Sequence, residues 1–377
     1  MLHNIHLLRN ISSLKGKRVL LRIDLNLPIV GGEVRDDFRI KRILPTLEFL
    51  KSKGAVTTII SHIESEETKS LEIVAEYLKK IIKLEFVRTF DEAKLKIPNL
   101  KSGEFILLEN LRLNPGEIAN DLDFAKKLAT LGDLFVNDAF SVSHRSHSSI
   151  VGIPKFLPSF AGLLFEDEVS GLSRVFNPPR PFLFILAGAK FETKFPLVKK
   201  FMKVADTVFI GGALSNDLFK AKGYEIGLSK HSDANFGFKG ILGSSKLVLP
   251  VDVEVESGGK RIVKGVSEIL PKDASFDSGP VTIETLREKI STAKFVLWNG
   301  TLGRYESGYE KGTENLTKIL ASSGVETVVG GGDTIAVISS LGLLDKFSFV
   351  STGGGAMLDF LADETLPGIE ALRGDYK

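Results

Sequence analysis

The segment Val328–Thr334, with the sequence Val-Val-Gly-Gly-Gly-Asp-Thr, combines a glycine run with a carboxylate where a strand pattern meets a helix pattern. Glycines let a backbone approach a bulky anion and direct its amide groups toward it. Asp333 would repel a phosphate bound there unless a divalent cation lay between the two. The segment therefore indicates a nucleotide held with magnesium, although an aspartate that simply caps a helix accounts equally well for these residues.

Four more junctions between a strand pattern and a glycine turn lie in the second half of the chain. After Leu186, Gly188 would permit close approach of a phosphate, and Lys190 and Lys194 would supply positive charge. One such turn is weak evidence, because glycine at a strand end is common for steric reasons, but five in one half favour a nucleotide site. The Walker ending, the dinucleotide glycine fingerprint and the protein-kinase loops are absent from the sequence. The other junctions are Ile210–Ala213, Trp298–Gly303 (with Glu306 just beyond) and Ser351–Ala356.

Basic and polar residues follow the apolar runs of the first half instead. Asp24 and Asn26 are placed to orient a hydroxyl. A lone arginine is usually a solvated or ion-paired surface residue, but five polar clusters in this half, most of them directly after a strand pattern, argue against coincidence. The arginines that would together form a site for a carboxylate or phosphate are Arg22, Arg39, Arg112 and Arg145.

Two histidines of the first half leave a different chemistry open. His144 and His147 are three residues apart, a spacing compatible with metal ligation from one helical face. Only Asp138 stands nearby as a further ligand, so the favoured interpretation is contact with an anion or hydrogen bonding between domains.

The overall composition excludes several classes of protein. A chain of 377 residues is long enough for two domains, and its formal net charge of +2 gives no reason to expect a nucleic-acid partner. The absence of cysteine excludes disulfides and thiolate nucleophiles and fits a reducing compartment. The first ten residues lack the apolar core of a signal peptide, and no apolar run reaches about 18 residues. We therefore expect a cytoplasmic protein without a membrane partner.

The elements that must position these residues alternate along the whole chain. Short runs that are apolar on both faces alternate with amphipathic helical patterns, which predicts an α/β protein with parallel sheets whose strand ends meet at one edge. Three prolines in Asn177–Pro181 mark a boundary, and the helical pattern before it covers Phe160–Phe176. The predicted strands are Arg18–Ile23, Val56–Ser61, Phe105–Glu109, Leu134–Asn137, Phe182–Leu186, Thr207–Ile210, Leu247–Leu249, Phe295–Trp298, Thr327–Val329 and Phe349–Ser351.

Taken in order, these segments resemble the phosphoglycerate kinase family. The series Arg-x-Asp-x-Asn, Ser-His, Glu-Asn-Leu-Arg, His-Arg-x-His, Gly-Ala-Lys-x-x-x-Lys, Leu-Pro-Val-Asp, Trp-Asn-Gly, Gly-Gly-Gly-Asp-Thr and Ser-Thr-Gly-Gly-Gly-Ala covers nearly the whole chain. The resemblance implies two Rossmann-like domains with parallel sheets joined by a linking helix. These would be a 3-phosphoglycerate-binding domain (1–160 with 365–377), a helix (161–176) and a nucleotide-binding domain (177–364).

The resemblance also implies an activity and assigns roles to residues. The activity would be reversible phosphoryl transfer between 1,3-bisphosphoglycerate and ADP, giving 3-phosphoglycerate and Mg²⁺-ATP, in a monomer. Arg39, Lys194 and Gly354 would be catalytic, and Asp333 would hold the magnesium ion. The implied 3-phosphoglycerate contacts are Asp24, Leu25, Asn26, Arg39, His62, Arg112 and Arg145. The implied nucleotide contacts are Gly188, Lys190, Lys194, Gly212, Ser275, Asn299, Glu306 (on the ribose hydroxyls), Gly331, Gly332, Asp333 and Thr334.

The chain departs from the family pattern after His62. Ile63-Glu64-Ser65-Glu66 stands where the family has Leu-Gly-Arg-Pro, so Ser65 replaces an arginine that contacts substrate phosphate. This departure keeps a second hypothesis open, a non-catalytic relative that binds a nucleotide or anion. A third hypothesis is an unrelated α/β protein with structural glycine turns. Further departures are Thr193, Ser275–Phe276, Thr301 and Arg304.

Overall fold

Two six-stranded parallel sheets, each in its own part of the chain, organise the structure. The computed structural model describes residues 2–35, 37–232 and 236–373. The chain divides into unit 1, Met1–Ser170 with Asp363–Lys377, and unit 2, Gly171–Ala362. The boundary after Ser170 lies inside a helix, which therefore begins in unit 1 and ends in unit 2.

The strands are numbered in chain order. Those of unit 1 are β1 (Arg18–Arg22), β2 (Ile29–Val30), β3 (Glu33–Val34), β4 (Val56–Ile60), β5 (Leu84–Val87), β6 (Phe105–Leu108), β7 (Leu134–Asn137) and β8 (Ser159–Ala161). Those of unit 2 are β9 (Phe182–Leu186), β10 (Thr207–Ile210), β11 (Leu247–Val248), β12 (Asp252–Ser257), β13 (Lys260–Gly265), β14 (Ala274–Ser278), β15 (Phe295–Asn299), β16 (Glu326–Gly330) and β17 (Phe349–Ser351).

The α-helices are numbered in the same way. They are α1 (Phe38–Ser52), α2 (Glu72–Leu78), α3 (Phe90–Lys96), α4 (Pro115–Ile118), α5 (Leu122–Ala129), α6 (Leu163–Ser173), α7 (Phe191–Val204), α8 (Ala213–Ala221), α9 (Lys239–Leu242), α10 (Pro280–Thr292), α11 (Lys311–Ser323), α12 (Gly332–Ser340), α13 (Gly355–Asp363) and α14 (Pro367–Leu372). Within the described residues, no helix has the length and apolar character needed to cross a bilayer.

Unit 1 is built on a parallel sheet with the strand order β5-β6-β4-β1-β7-β8. Its central strand is buried on both faces, because Val19 and Leu21 join one apolar cluster and Leu20 joins another. Burial on both faces explains why such strands read as continuous apolar runs. Side-chain caps fix the start of two helices: Thr89 accepts from the amide of Glu92 before α3 (3.1 Å), and Asp121 caps α5.

Unit 2 is built on a parallel sheet with the order β11-β10-β9-β15-β16-β17. Ile185 and Trp298 belong to a cluster on one face. On the other face, Phe184 packs against Phe201 of α7, with ring centroids 4.4 Å apart. The predicted α/β class with parallel sheets is thus confirmed in both units.

A second sheet of unit 2 is antiparallel and was not predicted. Its order is β13-β12-β14, and Gly258 and Gly259 connect β12 to β13 with φ of +57° and +76°. Paired positive φ angles give a turn that matches the twist of a hairpin. The Gly-Gly pair between alternating residues is the signal that identifies this hairpin in the sequence.

The predicted start of the helix at Phe160 is wrong. Phe160 lies in β8, which pairs with β7, and α6 begins only at Leu163. Gly162 separates the two elements, and its amide donates to the carbonyl of Asn137 (2.9 Å). A β-carbon at Gly162 would lie 2.2 Å from Oδ1 of Asp138, so there is no room for a side chain at this position.

We expect Phe184→Ala to lower the free energy of unfolding of unit 2 by about 3–5 kcal/mol, because it leaves a cavity between β9 and α7. The side chain of Phe184 is 1% exposed. Trp298, the only tryptophan of the chain, is buried in unit 2, so its fluorescence during urea unfolding reports on this unit. The control is Leu270→Ala at a residue that is 55% exposed, which should cost less than about 0.5 kcal/mol. Equal losses in the two variants would contradict the assignment of Phe184 to the core.

Candidate active site

The carboxyl edge of the unit 1 sheet gathers most of the predicted basic pocket. Arg22 ends β1 and is in register with Ile60 at the end of β4 and Asn137 at the end of β7. His62 follows β4 by two residues. Parallel strands thus bring side chains that are far apart in the sequence to one edge.

Asp24 is the centre of the first hydrogen-bonded group in this pocket. Its carboxylate accepts from Arg39 Nη1 (3.0 Å), Ser141 Oγ (2.5 Å) and the amide of Asn26 (2.9 Å). Burial alone would raise the pKa of Asp24, but the charge of Arg39 together with these hydrogen bonds holds that pKa below its usual value. Arg39 also donates to the carbonyl of Asn26 (2.7 Å), so its guanidinium is fixed at two points.

A second group extends from the buried guanidinium of Arg22. Its Nε donates to Ser149 Oγ (3.0 Å), and Ser149 donates in turn to the buried carboxylate of Glu117 (2.5 Å). Arg22 Nη2 lies 3.1 Å from Nδ1 of His62. Because arginine has only donors, Nδ1 of His62 accepts, and the proton of the neutral ring is on Nε2.

The two histidines of the pocket are uncharged at neutral pH. Burial, with Arg22 nearby, lowers the pKa of His62 to about 2. Burial, with Arg112 nearby, lowers the pKa of His147 to about 4. Arginines therefore supply the positive charge of this pocket, and the histidines act as neutral hydrogen-bonding groups.

The segment that departs from the family pattern reaches into the same pocket. Glu64 forms an ion pair with Nη1 of Arg112, whose side chain is 7% exposed. Ser65 Oγ accepts from the amide of Glu67 (3.2 Å), within its own loop. The pocket therefore holds a carboxylate at Glu64, where the family pattern has glycine.

The other predicted residues of unit 1 are placed differently. The side chain of Leu25 is fully buried in the apolar core, and its amide donates to Ser61 Oγ (2.9 Å), so only its backbone belongs to the edge of the sheet. Arg145 is exposed, and its Nε lies 3.4 Å from Nε2 of His144. Among the described residues, no group of three histidine, aspartate or glutamate side chains is arranged to hold a metal ion.

The glycine turns of unit 2 converge with Lys194. Its Nζ donates to the carbonyl of Ala187 (2.6 Å) and would lie 2.9 Å from a β-carbon at either Gly188 or Gly300. A β-carbon at Gly212 would lie 2.7 Å from the amide nitrogen of Gly188. These turns therefore require glycine to approach each other and the ammonium group.

Two polar side chains connect these turns to the segment Gly330–Thr334. Asn299 Nδ2 donates to the carbonyl of Gly330 (3.0 Å), and the amide of Gly300 donates to Thr334 Oγ1 (3.1 Å). Both side chains are buried. Asn299 and Thr334 therefore connect the turn after β15 to the turn after β16.

A cleft of about 510 Å³ opens beside the turns. Phe276, which departs from the family pattern, lines the cleft and stacks on Tyr309 with ring centroids 4.7 Å apart. The predicted nucleotide contacts that line the cleft are Gly188, Gly212, Ser275, Glu306 and Asp333. Those that do not line it are Lys190, Lys194, Asn299, Gly331, Gly332 and Thr334.

Asp277 is an acidic residue of the cleft that the sequence did not predict. Asp277 is 3% exposed and accepts from the amides of Gly312 (2.9 Å) and Ser278 (2.8 Å). Burial raises the pKa of Asp277 to about 7. A single aspartate in a short strand has no flanking motif, so no pattern in the sequence identifies it.

Asp333 is exposed on the first turn of α12 and lines the cleft. The residue at the N-cap is Gly331, without a side-chain cap, so the alternative of Asp333 as the helix cap is wrong. Burial lowers the pKa of Lys194 to about 8, while the nearby charge of Asp333 opposes this shift. One exposed carboxylate beside a glycine turn fits Mg²⁺, which is commonly held by one or two carboxylates together with substrate phosphates and water.

The turn that contains Gly354 lies at the end of β17. Gly354 has φ of +53° and directly precedes α13. The amide of Gly353 donates to Ser351 Oγ (3.1 Å), which fixes the start of the turn. The first amides of α13 therefore lie at the carboxyl edge of the unit 2 sheet, where an anion is stabilised.

Comparison with known proteins gives one consistent result. The phosphoglycerate kinase family model matches residues 8–364. Phosphoglycerate kinase from Dictyoglomus turgidum is 39% identical over 381 residues, covering 96% of each chain. That from Coprothermobacter proteolyticus is 40% identical and covers 96% of this chain and 97% of its own. The crystal structure of the Pyrococcus horikoshii enzyme has a TM-score of 0.86 at 32% identity and covers 98% of both chains.

The fold is that of an α/β protein with two parallel sheets, and arginine and glycine-turn groups lie at the carboxyl ends of its strands, where ligands of such sheets bind. The chain belongs to the phosphoglycerate kinase family, a family of phosphotransferases with a carboxyl group as acceptor. The resemblance drawn from the sequence is confirmed, and the hypothesis of an unrelated α/β protein is excluded.

We expect the imidazoles of His62 and His147 to remain neutral above pH 5 in the folded protein. Because their folded pKa values lie below the unfolded value of about 6.5, the unfolded chain takes up these protons first as the pH falls. The stability of unit 1 is therefore fully present above pH 6.5 and decreases toward pH 4. Nitrogen-15 NMR of the imidazoles measures both titrations, and His147→Gln should remove the share of His147 from the pH dependence of unfolding. A midpoint near 6.5 for either ring would contradict the expectation.

Proposed function

We propose that this chain catalyses the reversible transfer of a phosphoryl group from 1,3-bisphosphoglycerate to ADP, giving 3-phosphoglycerate and Mg²⁺-ATP. The observation that carries the proposal is that each unit of this family member has groups suited to an anion at the carboxyl edge of its sheet, arginines in unit 1 and glycine turns with Lys194 in unit 2. The site in unit 1 is rich in arginine and suits a small carboxylated phosphate ester. The site in unit 2 is rich in glycine and suits a polyphosphate.

The proposal assigns one substrate to each part of the chain. Residues 1–160 with 365–377 would bind 3-phosphoglycerate, residues 177–364 would bind the nucleotide, and 161–176 would link them; residues 374–377 lie outside the described residues. Because each substrate has its own domain, transfer requires domain closure, which also excludes the water that would otherwise hydrolyse the phosphoryl group. A single chain contains both sites, so a monomer suffices.

The residue types determine the mechanism that we propose. In the direction of ATP formation an oxygen of the ADP β-phosphate attacks the phosphoryl group in line, and the carboxylate of 3-phosphoglycerate leaves. In the reverse direction that carboxylate attacks and ADP leaves, so no side chain acts as a covalent nucleophile. Arg39, Lys194 and the amides around Gly354 would stabilise the charge that spreads over the transferred oxygens, each contributing about 3–4 kcal/mol. With a pKa of about 8, Lys194 keeps most of its charge at pH 7. A magnesium ion held by Asp333 would neutralise charge on the nucleotide phosphates.

A second candidate function is that of a non-catalytic relative, which Ser65 and the ion pair of Glu64 with Arg112 favour. Such a protein would bind a nucleotide or an anion without turnover. Turnover of the unmodified chain in a coupled assay decides between the two functions, since a purified, folded protein without turnover would eliminate the kinase.

We expect Arg39→Ala to lower kcat by about 100-fold to 1,000-fold, because the guanidinium fixed by Asp24 and Asn26 would no longer stabilise the transferred group. The measurement is the coupled assay with ADP and 1,3-bisphosphoglycerate. Lys41→Ala, on the same helix at a side chain that is 67% exposed, is the matched control and should stay within twofold of the unmodified chain. Similar kcat values for the two variants would refute the role of Arg39.

We expect Asp333→Asn to weaken the binding of ADP about tenfold in the presence of Mg²⁺ but not in the presence of a chelator, because the carboxylate acts through the ion. Without the metal, loss of the repelling carboxylate should leave ADP binding unchanged or slightly tighter. Calorimetry under the two conditions measures the difference. Asp345→Asn removes a charge of unit 2 at a side chain that is 76% exposed and serves as control. An equal loss with and without Mg²⁺ would show that Asp333 does not hold the ion.

A further inference from the structure

The arginines of the unit 1 pocket are balanced by carboxylates of two different kinds. Arg39 is paired with Asp24, and Arg22 reaches Glu117 through Ser149. Both of these carboxylates are buried, Asp24 at 7% and Glu117 at 0% exposure, and both are fixed by several hydrogen bonds. They are therefore permanent parts of the pocket.

The carboxylate paired with Arg112 is of another kind. The side chain of Glu64 is 57% exposed, so its carboxylate can rotate into solvent without losing hydration. Arg112 itself cannot escape in this way, because its side chain is 7% exposed. Its buried Nε has no hydrogen-bond partner among the described residues. The Arg112 guanidinium is thus a buried cation with an unused hydrogen-bond donor, and its counter-ion, the Glu64 carboxylate, can move away.

The backbone that carries Glu64 is held on both sides of the pair. The amide of Glu64 donates to Asn26 Oδ1 (2.8 Å), and Asn110 Nδ2 donates to the carbonyl of Ile63 (2.9 Å). Further along the loop, Glu67 accepts from the amides of Gly31 (3.0 Å) and Gly32 (3.1 Å). The loop therefore presents the Glu64 side chain to Arg112, and only that side chain needs to move for the pair to open.

Arg112 lies among the groups proposed to bind the substrate. Its charge contributes to the lowered pKa values of His62 and His147. An anion that enters this pocket must therefore either share Arg112 with Glu64 or displace the Glu64 carboxylate.

We propose that Glu64 is an internal counter-ion that competes with the anionic substrate for Arg112 and so sets the affinity of the pocket. The identity of the substrate rests on the proposed function, but the competition concerns any small anion bound at Arg112. Because one partner of the pair is largely exposed, its loss should tighten anion binding by about threefold to tenfold rather than by orders of magnitude.

The experiment compares three charge variants by calorimetry, with inorganic phosphate and with 3-phosphoglycerate as ligands. Glu64→Gln should bind both about threefold to tenfold more tightly than the unmodified chain. Glu64→Asp keeps the charge but shortens the side chain, and it should also bind more tightly. Glu66→Gln removes an equal charge from an exposed residue of the same loop and should change binding less than twofold.

Several outcomes would overturn the proposal. Unchanged or weaker binding by Glu64→Gln would show that the carboxylate does not compete, and equal effects of Glu64→Gln and Glu66→Gln would show a general effect of charge. In the kinase assay, competition predicts a lower KM for 3-phosphoglycerate in Glu64→Gln with kcat within twofold, whereas a purely structural role changes the unfolding temperature without tighter binding. Because the calorimetry does not depend on turnover, an inactive enzyme would refute the proposed function while leaving the competition testable.

Discussion

The close approach of backbone turns at the carboxyl edge of the unit 2 sheet is the constraint on which its site depends. A β-carbon at Gly300 would lie 2.1 Å from the carbonyl oxygen of Ala187, so no other residue fits there without displacing the turn. The same carbonyl accepts the Lys194 ammonium, which places a cation where the turns after β9 and β15 meet. Hydrogen bonds of Asn299 and Thr334 connect these turns to the start of α12. The backbone amides of these turns are therefore positioned by steric necessity, and the Lys194 ammonium is held where the turns meet, as electrostatic stabilisation of a phosphoryl group requires.

Unit 1 meets the opposite problem, because its site consists of long charged side chains that must be kept apart and in place. Burying a guanidinium without a counter-charge is costly, so the buried Arg22 is connected to Glu117 through Ser149, and the half-buried Arg39 is paired directly with Asp24. The neighbouring imidazole of His62 stays neutral because burial disfavours its charged form and because the cation of Arg22 lies beside it. The positive and negative charges of the pocket are thus nearly balanced before a ligand enters. An anion would therefore be bound more by hydrogen bonds from correctly oriented N–H groups than by a net positive charge.

Features that recur along the chain could be predicted from the sequence, whereas features that occur only once could not. Continuous apolar runs predicted the central strands to within one or two residues, because burial on both faces leaves no polar positions. Five glycine turns indicated a phosphate site because repetition outweighs the steric explanation of each. Strand β8 was not predicted because three residues beside Gly162 are too few to show an alternating pattern of apolar and polar residues. The antiparallel sheet was not predicted because its edge strand is largely exposed. Asp277 and the partner of Arg112 depend on tertiary contacts between distant segments, which no local pattern encodes.

The departure at Ile63–Glu66 also shows how a binding loop can change while its fold is kept. The loop is anchored through backbone groups and through Asn26 and Asn110, neither of which depends on the side chains at positions 64 and 65. Substitutions at positions 64 and 65 should therefore change the fold of the loop little. A side chain at position 64 nevertheless contacts Arg112, which lies in a different segment of the chain. On our proposal, replacing a cation of the family pattern by Ser65 and adding the carboxylate of Glu64 would both weaken anion binding. Since Arg39 and Lys194 are untouched by either change, we infer that the departure tunes how tightly this enzyme holds its substrate and leaves the transfer step itself intact.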